Sequence, residues 1–248
     1  KEKEEEKKKR ALLVDVKYDM RLVLERGTNA YYLCIPMPLK VRGESQAPHE
    51  KRVIALDPGV RTFVTGYDPL GTCIEVGKGD VGCIYRLCRA LDRLVSKLNS
   101  KAVKSRQRAH MRRAAARQRR RIQCLVKDVH CRLAKHLCES YDVILLPKFE
   151  TSRMIRRRHC WRRIRSKTAR AMATWAHYRF RQRLLNKARE YPACRVLLVS
   201  EAYTSKTCGR CGSIHSRLGG SKVFVCPQCG LECDRDLHAA RNVLLRFL

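Results

Sequence analysis

Four cysteines near the end of the chain carry the strongest chemical signal. Cys208-x2-Cys211 is followed by fourteen residues and then by Cys226-x2-Cys229. Two such pairs at this separation can bring four thiolates to one Zn²⁺ in tetrahedral geometry. Gly209, Gly212 and Gly230 are placed to supply the tight turn that each knuckle needs. Four thiolates leave no open coordination position, so the zinc is expected to be structural. His215 and Cys233 lie close by and read as bystanders.

Acidic residues carry a second signal. Asp57 ends the apolar run 53–56 and precedes Pro58-Gly59. Taken alone, that tripeptide reads as a turn. Asp234-Arg235-Asp236-Leu237 opens the last helical segment, and alone it reads as an N-cap with an acidic first turn. The setting changes both readings. The chain has 248 residues, with 55 Lys+Arg against 23 Asp+Glu and a net charge of +32. So basic a chain is expected to bind a phosphate backbone. Carboxylates at strand and helix ends in such a chain suit Mg²⁺. A pair of these ions can activate water and stabilise the leaving oxygen of a phosphodiester. Asp57 is expected to project from a rigid sheet edge into solvent.

The basic residues are concentrated. Residues 101–121 hold ten Lys/Arg and no acid, and residues 153–170 hold nine and no acid. Solvated helix faces mix signs, so these stretches read as walls of a nucleic-acid channel. Arg112, Arg113, Arg119, Arg120, Arg156, Arg157, Arg162 and Arg163 are the candidate contacts. Trp161, beside Arg162-Arg163, is the candidate stacking residue. Trp175 reads as core, on a stripe with Tyr178, Gln182 and Leu185.

The elements that must position these residues follow from periodicity. Residues 11–40 read as a small β element turning at 26–29, and residues 41–50 as a linker. Apolar runs at 53–56, 62–67 and 73–76, each closed by a Gly or Pro turn, predict a three-stranded meander. Leu87, Leu91, Leu94 and Leu98 repeat at helical spacing, as do Ile122, Val126, Val129, Leu133 and Leu137. They predict a helical hairpin whose connection, within 97–127, is strongly basic. Strands follow at 143–146, stopped by Pro147, and at 196–199. Helical stretches lie at 151–190 and 234–248. Three antiparallel strands, helix, strand, helix, strand, helix is the ribonuclease-H-like plan. The fold class is therefore α/β, a mixed sheet with helical insertions and an inserted zinc ribbon. The expected domains are a charged segment with remnant β element (1–50), the sheet core with basic insertions (51–207), the zinc ribbon (208–230) and a closing helix (231–248).

Several segments resemble a known family. They are Ile54-Ala55-Leu56-Asp57-Pro58-Gly59-Val60-Arg61-Thr62-Phe63, Tyr203-Thr204-Ser205-Lys206-Thr207-Cys208-Gly209, Cys226-Pro227-x-Cys229-Gly230 and Asp234-Arg235-Asp236-x-x-Ala239-Ala240-Arg241-Asn242. In this order they resemble the RuvC and zinc-ribbon segments of TnpB and its eukaryotic relatives, the Fanzor proteins, and the wording leans toward Fanzor. These are transposon-associated, RNA-guided DNA endonucleases. The resemblance covers residues from about 50 to 248. It implies a catalytic triad of acids, the first Asp57 and the third Asp236. The second is a Glu usually at the end of the fourth strand, where this chain has Pro147. Glu201, which ends the fifth strand, is favoured as its replacement, with Glu150 as the alternative. His238 stands where relatives often have Asn. The resemblance also implies an upstream region that reads a DNA motif and grips the guide RNA. The chain starts Lys-Glu-Lys with no Met, which reads as part of a longer product or a decayed transposon gene.

Three functions follow as expectations. The first is a Mg²⁺-dependent DNA endonuclease core, RNA-guided when complete, with a DNA target and guide RNA as partners held in the basic channel. The second is a truncated or inactive relative that binds DNA or RNA without cleavage. The third is an unrelated zinc-ribbon protein. No run approaches the ~18 apolar residues of a spanning helix, so no membrane is expected. The charged start has no apolar core of a signal peptide. Localisation is expected to be nuclear if the source is eukaryotic and cytoplasmic otherwise. Nothing in the sequence sets an oligomeric state.

Overall fold

The computed structural model describes residues 18–42, 51–100, 103–155, 164–216 and 218–248. A hairpin of β1 (Arg21–Glu25) and β2 (Ala30–Cys34) comes first. The meander β3 (Val53–Pro58), β4 (Val64–Tyr67) and β5 (Cys73–Val76) follows. Helices α1 (Asp80–Leu98) and α2 (Ser105–Ser140) lead to β6 (Val143–Pro147). Then come α3 (Thr151–Ile155), α4 (Ser166–Trp175), α5 (His177–Ala188) and β7 (Arg195–Val199). A short hairpin of β8 (Val223–Val225) and β9 (Glu232–Asp234) precedes α6 (Arg235–Phe247).

Strands covered on both faces read as continuous apolar runs. β3 and β6 are such runs, and they pair in parallel with Ile54 opposite Ile144. The sheet order is β5-β4-β3-β6-β7, antiparallel through β4 and parallel from β3 to β7. This is the ribonuclease-H-like topology. Asp57 therefore ends the central strand, not a sheet edge, and it is half-buried instead of projecting into solvent.

Alternation along β3 assigns its two faces. Ile54 and Leu56 pack with Leu133 and Leu137 of α2 and with Phe180 and Leu184 of α5. Ala55 packs with Leu145 and with Val243 and Leu244 of α6. Asp57 shares the parity of Ala55, so it faces the α6 side. On α6, Asp236 lies one and two turns before Ala240 and Val243, on the stripe that meets the sheet.

Two expectations change. The basic stretch is not a connection: α2 begins at Ser105, so most of it is helix. Ala114-Ala115-Ala116 among Arg and Gln is a strong helix-forming run, and its propensity outweighs charge repulsion between solvated arginines. The stripe from Trp175 to Leu185 is also broken. Ala176 takes a left-handed conformation, φ 49°, which resets the helical phase. Trp175 is buried as expected, but the following buried positions are His177, Phe180 and Leu184, and Tyr178 is exposed. Among the described residues, no helix is long and apolar enough to cross a membrane.

Candidate active site and metal centre

Three acids from distant parts of the chain line one cleft of about 400 Å³. Asp57 comes from the end of β3. Asp236 comes from the first turn of α6, which Asp234 caps: its Oδ1 accepts from the N–H groups of Asp236 at 2.9 Å and Leu237 at 3.1 Å. Capping thus occupies Asp234 and leaves Asp236 to the cleft. Glu201 lies two residues past β7, where the Thr204 N–H and hydroxyl both donate to its carbonyl, at 3.3 and 2.9 Å. Pro147 ends β6 directly opposite Val199 of β7. An acid two residues beyond Val199 therefore sits at the same end of the sheet as Pro147, one strand over.

Glu150 is not part of the cleft wall. It pairs with Arg153 at 2.8 Å on the surface. It is still near enough to act electrostatically: Glu201 is raised above the usual carboxylate range by burial and then by Glu150. Asp57 is pushed up to about 7 by burial, then by Asp236 and by Glu201, with Arg235 opposing. A raised carboxylate among carboxylates marks a site with more negative charge than its surroundings compensate. Such a donor set fits divalent cations with oxygen ligands.

Sequence reasoning missed the rest of the lining. Ser221 and Lys222, from the loop between the cysteine pairs, reach the cleft, as do Met154 and Met172. Two arginines fasten that loop: Arg61 donates to the Gly220 carbonyl at 2.8 Å, and Arg235 donates to Gly219 at 2.7 Å. Arg61 lies two residues past the Asp57-Pro58-Gly59 motif, which was the available signal; nothing in the sequence pointed to Lys222.

The four cysteine sulfurs lie within 4.8 Å of one another. Cys208 and Cys229 are 3.6 Å apart, as are Cys211 and Cys226. Tetrahedral bonds of about 2.3 Å set sulfurs roughly 3.8 Å apart, so the cage fits zinc. The Ser213 hydroxyl, 3.3 Å from Cys226 Sγ, brings that thiol down to about 5, helped by the backbone at Cys229 and Gln228. Gly212 and Gly230, both at positive φ, close the knuckles, their N–H groups donating to the Cys208 and Cys226 carbonyls. His215 and Cys233 stand outside the four-sulfur group.

Gly209 has a different reason from the expected turn. A Cβ there would meet Arg241 Nη1 at 2.5 Å and Asn242 Oδ1 at 2.7 Å. The knuckle is seated on α6 at this point. The Gly209 N–H donates to His238 Nε2 at 2.9 Å, and Arg241 donates to the Gly209 carbonyl at 3.0 Å. Asn242 donates to the carbonyls of Thr204 and Thr207, at 2.8 and 2.7 Å, and His238 stacks on Phe224 at 4.2 Å. His238 Nε2 accepts from the Gly209 N–H and so carries no proton of its own, and burial and Arg241 hold His238 below its usual range. One helix therefore carries Asp236 into the cleft and seats the cysteine knuckle.

The basic residues divide. Arg112, Arg113 and Arg119 are exposed on α2. Arg120 turns to the hairpin instead, bonding the Tyr32 hydroxyl, lying over its ring at 5.3 Å and pairing with Glu25 at 3.6 Å. Arg156, Arg157, Arg162, Arg163 and Trp161 lie outside the described residues.

The model for the Cas12f1-like TNB domain family matches residues 177–243. A putative transposase, A625R, of Paramecium bursaria Chlorella virus 1 is 34% identical over 88% of this chain and 48% of its own length. The TnpB-like protein L770 of Acanthamoeba polyphaga mimivirus is 30% identical over 94% of this chain and 44% of its own. The CRISPR-associated endodeoxyribonuclease Cas12f1 of Sulfoacidibacillus thermotolerans is 36% identical over 33% of this chain and 19% of its own. The fold matches the protein in a Cas12f1-sgRNA-target DNA complex with a TM-score of 0.57, at 15% identity, over 92% of this chain and 56% of that one. The chain spans about half the length of the viral relatives it matches. With its motifs, its sheet topology and these relatives in agreement, the chain belongs to the TnpB family.

Proposed function

We propose that this chain is the phosphodiester-cutting part of a transposon-associated, RNA-guided DNA endonuclease. The observation that carries the reading is the joint lining of one cleft by Asp57, Glu201 and Asp236, with Asp57 raised to about 7 beside the other two. These carboxylates would hold Mg²⁺, which when bound activates water and stabilises the leaving oxygen of a phosphodiester. Arg61, Lys222 and Arg235 at the rim offer positive charge to the phosphates on either side of the scissile one. The cysteine cage would hold structural Zn²⁺ and so keep the loop bearing Ser221 and Lys222 in place. Exposed Arg112, Arg113 and Arg119 would run along a guide RNA–DNA duplex without reading its sequence. The solved relative's sgRNA and target DNA support nucleic acid as the partner.

The test is cleavage of single-stranded DNA with and without Mg²⁺. Asp57→Ala, Glu201→Gln and Asp236→Ala should each remove activity, by about a hundredfold or more, while Glu150→Gln should retain it. A second reading, binding without cutting, draws on Pro147 standing where the family's usual Glu would be. Tight DNA binding with no cleavage in any divalent metal would favour it.

A further inference from the structure

The loop that follows Asp57 is held by a device outside the cleft. Residues 58–62 leave β3 and return at Phe63, where the Gly59 N–H donates to the Phe63 carbonyl at 3.0 Å. Two further bonds tether the loop. Arg61 reaches the Gly220 carbonyl, as above. The indole Nε1 of Trp175 donates to the Val60 carbonyl at 3.1 Å.

Trp175 sits at the bend between α4 and α5. Ala176 there is left-handed, φ 49° and ψ 51°, with neither Gly nor Pro to favour it. Such a conformation is strained for a non-glycine residue and persists only where its surroundings impose it. The bend has a definite consequence. In an unbroken helix the Trp175 carbonyl would accept from the Arg179 N–H. Here that N–H donates to the Ala176 carbonyl at 2.8 Å instead. The freed Trp175 carbonyl lies 2.9 Å from His130 Nε2 in the middle of α2. A carbonyl only accepts, so Nε2 carries the proton. Burial keeps His130 down at about 4, neutral across the working pH range. Phe63, the loop's return point, stacks with His130 at 5.0 Å and with His177 at 4.9 Å, and it packs on Trp175 at 4.8 Å. Met172, one turn before Trp175, lines the cleft itself.

We infer that Trp175 is a positioning residue for Asp57, fixing the 58–62 loop through the Val60 carbonyl, and that His130 in turn fixes Trp175 through the carbonyl released by the Ala176 bend. The inference rests on the proposed role of Asp57 as a metal ligand. Small displacements of a ligand matter because metal sites tolerate errors of only a few tenths of an ångström. A side chain that fixes the loop beside a ligand can therefore change affinity without touching the metal.

The experiment uses the full chain and Mn²⁺ as probe, titrated by calorimetry, with single-stranded DNA cleavage against Mg²⁺ concentration alongside. Trp175→Phe keeps an aromatic side chain, though a smaller one at this buried position, and removes the N–H. It should weaken Mn²⁺ binding by about tenfold and raise the half-saturating Mg²⁺ by a similar factor, leaving maximal cleavage nearly unchanged. His130→Leu should do the same, and His130→Gln, which restores an N–H donor, should recover most of the loss. That recovery is what a purely structural role would not produce, and it keeps the idea testable if Trp175→Phe folds poorly. Unchanged Mn²⁺ affinity in Trp175→Phe and His130→Leu, with Asp57→Ala abolishing binding, overturns the inference alone. Equal losses in His130→Gln and His130→Leu overturn the part assigned to His130. Mn²⁺ binding that survives Asp57→Ala overturns the reading of the cleft and the inference with it.

Discussion

The cysteine knuckle and the carboxylate cleft share α6 and are built on opposite principles. The knuckle is complete in itself. Its outer ligands, Cys208 and Cys229, are 21 positions apart, and Ser213 and backbone N–H groups already stabilise sulfur as thiolate at Cys226. The cleft takes its acids from three elements far apart in sequence, and burial, then repulsion from Asp236 and Glu201, raises Asp57 to about 7. The first site is closed, its four sulfurs already lying within 4.8 Å of one another. The second is open and electrostatically unfinished, as the proposed exchange of metal and phosphate there requires. A staple can be written in local spacing; a cleft of this kind exists only once the sheet has formed.

The contrast is tested most severely by removing metal from the knuckle. Cys226→Ser, or a strong chelator, should lower stability by about 5 kcal/mol or more, a fall in Tm above roughly 10 °C for a chain of this size. Metal analysis should fall from about one zinc per chain to none. An unchanged Tm with no metal in either protein would mean that the knuckle needs no ion, and the contrast would dissolve.

Asp57→Asn should act in the opposite direction. The folded pKa of Asp57 lies above its unfolded value of 3.8. Its contribution to stability is therefore fully present below about 4 and is lost as pH rises through about 7. At pH 8, without divalent metal, the charged carboxylate is a burden that Asn removes. The variant should gain roughly 2 kcal/mol, less than the full shift implies because the cleft is open to water, or a rise in Tm of about 4–8 °C. The gain should shrink at pH 5. Thermal scans at both pH values decide it: a variant less stable than the parent at pH 8 would show that Asp57 is compensated after all. The knuckle runs the other way with pH, since acid protonates thiolates and releases zinc.

The same contrast explains what could be read in advance. Cysteine spacing, the apolar runs of β3 and β6, and the hairpin turn at 26–29 are local patterns, and the elements they imply are present. Asp57 and Asp236 each read alone as a turn residue and a helix-cap acid, because the charge and burial that distinguish them come from other elements. Parity along β3 and the 3.6-residue stripe on α6 bring them together, and both patterns were in the sequence without being applied to the acids. The bend at Ala176 had no local sign. No Gly or Pro marks it, and it is held by contacts from Phe63 and His130. Arg120 looked like its neighbours on α2, and only the hairpin packed against it removes it from the exposed basic face.

A milder change asks whether the two sites communicate through α6. Gly209→Ala places a methyl against Arg241 and the buried Asn242. Overpacking of this kind costs about 1–3 kcal/mol, and the low end is expected because the Arg241 guanidinium can move. If α6 is one rigid support, Mn²⁺ affinity in the cleft should fall by about twofold as Asp236 shifts with the helix. A loss of stability with unchanged Mn²⁺ affinity would separate the sites and leave α6 a seat for each independently.

The smallest effect is expected from Glu150→Gln. Glu150 pairs with Arg153 on the surface, and exposed pairs of this type contribute under about 1 kcal/mol. Its removal takes away one of the two influences that raise Glu201, the lesser one, since burial comes first. Glu201 should therefore become somewhat more acidic, while the cation loses the attraction of one nearby charge; the two effects oppose each other, and half-saturating Mg²⁺ should change by less than about twofold. Tm should hold within a degree or two. The size is what decides. A carboxylate outside the cleft acts only through its field, and neutralising it leaves metal binding within about twofold, whereas removing a ligand weakens binding by about tenfold or more. A rise of about tenfold in half-saturating Mg²⁺ on Glu150→Gln would therefore transfer the second acid from the end of β7 to the loop after β6, and the open site would have to be redrawn around it.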